Sequence, residues 1–124
     1  MSKIIKILSK KYEFLVELNN SKTSQKIIKK LPITSTANRW GDEIYFQIPV
    51  ESELENGVEI LEIGSVAFWP PGNAFCIFFG ITPASTSNKP QAASPVTVIG
   101  KIIDKKSLSD LKKILNGDKI ELDK

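Results

Sequence analysis

Arg39 is the only arginine in a chain that carries sixteen lysines and no histidine. A guanidinium presents a planar fork of donors that fits a carboxylate or a carbonyl, whereas an ammonium is a flexible point charge. Trp40 follows it directly, and a second tryptophan opens the corner Trp69-Pro70-Pro71-Gly72-Asn73. Two prolines pre-set that backbone and a glycine supplies a positive φ, so the corner is stiff. An indole beside a rigid proline turn, opposite the one guanidinium, makes a ligand platform that loses little entropy on binding. Phe75, Phe78 and Phe79 follow the corner, and strand alternation lets only one parity of them face such a groove, Phe75 being the candidate nearest the turn. Each residue also has a purely structural use. Arg39 can pair with Asp42 or Glu43 and lock a turn, and the tryptophans and phenylalanines can be core.

Much chemistry is excluded by composition. Without histidine, no Ser-His-Asp or Cys-His nucleophile system can be built and the usual zinc ligand is missing. The single cysteine, Cys76, sits inside an apolar run and reads as a buried structural thiol. Glu51, Glu53, Glu55, Glu59 and Glu62 straddle a turn without EF-hand spacing, so they read as a solvated rim and no metal is expected. Gly72 and Gly80 lack the pattern of a phosphate-binding loop, and no cofactor is expected. The net charge of +3 is mild. Lysines at 22, 26, 29 and 30, and at 105, 106, 112 and 113, read as solvated helix faces, so no nucleic-acid partner is expected. No stretch approaches a membrane span, and the basic start reads as no signal peptide, which points to the cytoplasm.

A chain of 124 residues is one domain by length. Alternation from Ile4 to Leu18 predicts a hairpin turned at Ser9, Lys10 and Lys11. Asn20 and Ser21 offer caps for a helix through Leu31 that Pro32 stops, with Ile27, Ile28 and Leu31 inward. Strands are expected over residues 34–40 and 43–50, turned at Gly41 and Asp42, then over 58–63, 66–69 and 74–80. Residues 82–95 read as a long loop, the candidate cover of the groove. A strand over 96–103 follows. Ser107 and Asp110 then start a second helix with Leu108, Leu111, Ile114 and Leu115 inward, and Asn116-Gly117 leads to a last strand over 119–122. About eight short strands and two helices fit a closed antiparallel barrel with helices over its ends.

Three segments resemble cyclophilins in order: Ala37-Asn38-Arg39 after the first helix, GSVAFWPPGNAFCIFF, and VTVIGKIIDKKSLSDLKKI with its mid-strand Gly100-Lys101 pair. ANRWGDEIYFQIPV, VAFWPPGNAFCIFFG and ASPVTVIGKI together are similar to a prokaryotic family of small cyclophilin-like proteins whose activity is not established. The resemblance implies a mainly β, closed eight-stranded antiparallel barrel with two capping α-helices and a groove on one outer face. It departs from cyclophilins where Asn38 replaces a histidine and where the tryptophan ahead of the last segment is missing. Arg39 is the residue that carries over. Gln47 lies at the spacing of the cyclophilin glutamine, but a turn intervenes.

The expected function is therefore the binding of a peptide or small molecule at Arg39, Trp40, Trp69, Pro70, Pro71, Gly72, Asn73 and Phe75. The alternative is a prolyl isomerase in which Arg39 aims its guanidinium at the imide nitrogen and an apolar pocket seats the proline ring. A third class is a structural subunit that binds another protein through its edge.

Overall fold

The computed structural model describes residues 3–124. Apolar alternation builds the first hairpin from β1 (Lys3–Ser9) and β2 (Tyr12–Leu18), turned at Lys10 with φ 55°. Ile5, Ile7, Phe14, Val16 and Leu18 are buried on its inner face. Helix α1 (Lys22–Lys30) begins where the Ser21 hydroxyl accepts the Ser24 N–H at 3.1 Å. Glu55 is a second cap rather than a solvated rim carboxylate. It accepts the Thr23 hydroxyl at 2.7 Å and the backbone N–H groups of Thr23 and Lys22 at 3.0 and 3.2 Å. These bonds, the Thr23 hydroxyl first, hold its carboxyl below the usual range and satisfy donors that a helix start leaves open.

The remaining strands are β3 (Ile33–Thr36), β4 (Asn38–Arg39), β5 (Glu43–Gln47), β6 (Val58–Ile60), β7 (Ser65–Trp69), β8 (Ala74–Phe78), β9 (Gln91–Ile102) and β10 (Lys119–Asp123). A 3₁₀ turn over Pro70–Gly72 joins β7 to β8, and Asn73 takes the left-handed conformation at φ 47°. Helix α2 (Leu108–Leu111) follows a 3₁₀ turn and is far shorter than expected. Leu111 and Ile114 are buried, but Leu115 points to solvent because the chain leaves the helix before reaching it.

The sheet is antiparallel and runs β3-β10-β1-β2-β9-β7-β8-β5-β4, with β6 paired to β9 on the side. The expectation of a closed eight-stranded barrel is therefore corrected: the described residues form ten strands, and the ladder does not close. Its two end strands, β3 and β4, are consecutive in sequence and separated by Ala37 alone. At Ala37 the backbone leaves the ladder and exchanges bonds with the turn before β10, Ala37 N–H to Asp118 O and Gly117 N–H to Ala37 O, both 2.8 Å. A side chain bridges the gap instead, the Ser35 hydroxyl donating to Gln47 O at 2.7 Å.

The expected 82–95 loop is also shorter, because β9 begins at Gln91. Val58 pairs with Val96 and Ile60 with Gln91, so residues 92–95 bulge out of the ladder between these two pairings. A bulge explains the loop-like Ala-Ala-Ser-Pro composition, since proline is tolerated where no ladder bond is needed. What is left of the loop is tied down. The Thr82 hydroxyl donates to Gln91 O, and the Ser85 hydroxyl to Lys89 O at 2.8 Å.

Beyond its bulge, β9 crosses close to β2, and a Cβ at Gly100 would run into the carbonyl of Glu17. The obstacle is backbone, so it cannot swing aside. Gly100→Ala should cost about 1–3 kcal/mol by overpacking, read as a lower urea midpoint at unchanged slope.

Candidate functional site

Strands β7 and β8 are buried on both faces. Phe75, Ile77, Val66 and Phe68 enter the main core, whereas Ala67, Ala74, Cys76 and Phe78 point outward into a second cluster with Leu61, Ala92 and Val96. The first half of β9 supplies that cover. Where the cover ends, a cavity of about 160 Å³ opens, lined by Trp40, Glu43, Tyr45, Trp69, Cys76, Ala92, Ala93 and Val96.

Strand period fixes the polar residue in it. Ile44 and Phe46 of β5 are fully buried in the main core, so Glu43 and Tyr45 share the opposite face. Register then sets Tyr45 opposite Cys76 and Glu43 opposite Phe78. A tight turn through Gly41 and Asp42 returns Trp40 to the same place, its N–H bonded to Glu43 O at 3.0 Å. Gly41 has φ +61°, and a Cβ there would strike Ile81 O, so glycine is needed at this approach. Trp69 is held from two sides. Its indole N–H donates to the Ser94 hydroxyl at 2.7 Å, and its ring lies against Gly72, where a Cβ would come within 2.8 Å.

Glu43 is only 6% exposed and no basic side chain pairs with it among the described residues. Burial pushes its carboxyl up to about 7, with a hydrogen bond to the Cys76 thiol acting in the opposite direction. Burial first, then Glu43 itself, raises the Cys76 thiol well above its usual range. Cys76 therefore stays protonated and is no nucleophile. A carboxyl near 7 can take or give a proton at neutral pH, and in its ionised form it is a buried anion without a counter-ion.

Of the residues singled out from sequence, the structure brings Trp40 and Trp69 together at the cavity. Pro70, Pro71, Gly72 and Asn73 do not line it; they form the 3₁₀ turn against which the Trp69 ring rests. Phe75 is fully buried on the opposite face and stacks on Phe46 at 5.1 Å. Arg39 is elsewhere. Its Nε and Nη2 donate to Gly41 O at 3.1 and 3.0 Å, Nη1 to the carbonyls of Lys112 and Ile114 at 3.2 and 3.0 Å, and Nη2 also meets Asp42 at 3.4 Å. A guanidinium has five N–H donors, and all are engaged. Its plane also packs over Phe79, 5.1 Å from the ring centre.

Glu43 and Tyr45 do not stand out in sequence as site residues, because no local pattern marks their face of β5 as buried. The signal that finds them is the unbroken apolar run of β8, which demands cover on both faces and so brings that cover up to the edge of its neighbour β5.

The family model described as Cyclophilin-like matches residues 3–123. The chain belongs to the cyclophilin-like family. Its solved relatives include the hypothetical protein AF2241 from Archaeoglobus fulgidus, whose solution structure it matches with a TM-score of 0.79 and 41% identity, over 98% of this chain and 94% of that one. No curated protein matches it. The cyclophilin-like fold holds for this chain even though its ladder stays open.

Two outcomes follow. Arg39→Ala strands the Gly41, Lys112 and Ile114 carbonyls and should cost roughly 2 kcal/mol in urea melts, with Arg39→Lys recovering only part because an ammonium cannot reach all three. For Glu43, a folded-state pKa of about 7 against 4.5 for the free group means the native protein holds the extra proton between these values. Stability should therefore fall as pH rises from about 4.5 to 7, by on the order of 3 kcal/mol, and level off above. Glu43→Gln, neutral throughout, should flatten that slope and melt higher than wild type at pH 8.

Proposed function

We propose that this cyclophilin-like protein is a binding domain for a compact organic group, either a small molecule or one peptide side chain, received in the cavity between Trp40 and Trp69. The observation that carries the reading is Glu43, a carboxyl more than nine-tenths buried, without a salt-bridge partner among the described residues, lining an otherwise apolar and aromatic cavity. Such a group destabilises the fold when ionised and is retained most simply where it has a ligand to meet. The size supports one small group: a cavity of about 150 Å³ in a protein core accepts benzene.

The isomerase alternative loses its main support. It asks for a guanidinium free to approach an imide nitrogen, and every donor of Arg39 is already committed to the protein's own acceptors. Glu43 offers no substitute for that cation.

A library of compact fragments screened by protein NMR should give binders that shift the Ala92, Ala93 and Val96 methyl signals. Ala93 is exposed at the rim, so Ala93→Phe should block the Ala92 and Val96 shifts while leaving the melting temperature within about 1 °C. Fragments that bind Ala93→Phe as well as wild type would sink the cavity as the site.

A further inference from the structure

The cavity wall carries one carboxylic acid and no base. Of the elements around it, β5 contributes Glu43 and Tyr45, β8 contributes Cys76, and the β7 end, Trp40 and residues 92–96 contribute no titratable group. An anionic ligand would meet nothing to offset its charge. A wholly apolar ligand would leave the Glu43 carboxyl unpaired beside it. Three aromatic rings, Trp40, Tyr45 and Trp69, border the same space. Ring faces carry negative quadrupole potential and attract an ammonium, most strongly where water is excluded.

We infer that the ligand is an organic cation, an alkylammonium group seated among Trp40, Tyr45 and Trp69 with its charge met by the Glu43 carboxylate. The inference rests on the binding reading above and narrows it to one charge class. A cation of this kind removes the reason for Glu43 to stay protonated. Binding then expels a proton at any pH where the free protein holds one, and no bond other than that O–H changes. Primary and quaternary ammonium share this chemistry and differ only in whether Glu43 accepts a hydrogen bond from the cation or meets it by charge alone.

The probes are butylammonium against butanol, and choline against its uncharged carbon isostere, each followed by calorimetry and by the methyl shifts of Ala92, Ala93 and Val96. At least one cation should bind at these methyls at least tenfold tighter than its neutral counterpart at pH 8. Its affinity should drop roughly tenfold from pH 8 to pH 6, because the ionised fraction of a carboxyl with a pKa near 7 falls by that factor. Calorimetry in two buffers of different ionisation enthalpy should show proton release at pH 6. Glu43→Gln should lose both the preference and the pH dependence; it is expected to be the more stable protein, so a folding defect will not mimic the result. A neutral isostere that binds there as tightly as its cation would overturn the cation inference and leave the cavity standing as a site. No perturbation of these methyls by any of the four compounds would overturn both.

Discussion

The structure is organised by a pair of strands that have no polar face. β7 and β8 are apolar on both sides, so one core beneath them is not enough and a second cover is required. β9 meets that demand by being long and interrupted: its later part pairs with β2 and β7, and its first part turns away to hold β6 over the outer face. The change of partner falls between Val96, which pairs with β6, and Thr97, which pairs with β7, so one strand serves both layers. The cavity exists because this cover is short, stopping before it reaches Glu43 and Tyr45 on β5.

A sheet whose end strands do not pair needs another way to hold its shape. Here the chain itself passes between the ends at Ala37, and Arg39 acts as a clasp just after the crossing. The guanidinium gathers carbonyls from the turn at Gly41 and from residues 112 and 114 on the approach to β10, while Asn116 accepts the Arg39 backbone N–H. The lone arginine in a lysine-rich chain is thus explained by geometry: only a rigid, five-donor fork can satisfy acceptors arriving from two separate segments. It does for this open ladder part of what backbone pairing does for a closed one.

Much of the architecture was readable from the chain. The first hairpin, α1 with its Ser21 cap, the turn at Gly41-Asp42 and the last strand all follow from local patterns strong enough to survive packing. Two of the departures come from a local pattern that the backbone does not follow. Ala-Ala-Ser-Pro looked like loop because a bulge needs small residues and tolerates proline, and Leu115 looked inward because helical spacing was extended beyond the last helical turn. Barrel closure failed for a different reason: whether two end strands pair is decided by long-range geometry at Ala37, where no local pattern speaks. At the site, the tryptophans are legible because large aromatics beside a stiff turn stand out, whereas Glu43 reads from sequence only as a partner for Arg39. A charged residue declares itself as buried only when its neighbours' burial is known, and that depends on β9 folding over β8, the strand beside β5.

The placement of the tryptophans has a practical side. The chain contains two, and both border the same cavity. The intrinsic emission of the protein is therefore a local signal from one small region, undiluted by indoles elsewhere. Ionisation of Glu43 beside them, arrival of any occupant or admission of water would each alter the polarity that sets the emission wavelength. The native molecule carries its own optical reporter, without a label or an added chromophore.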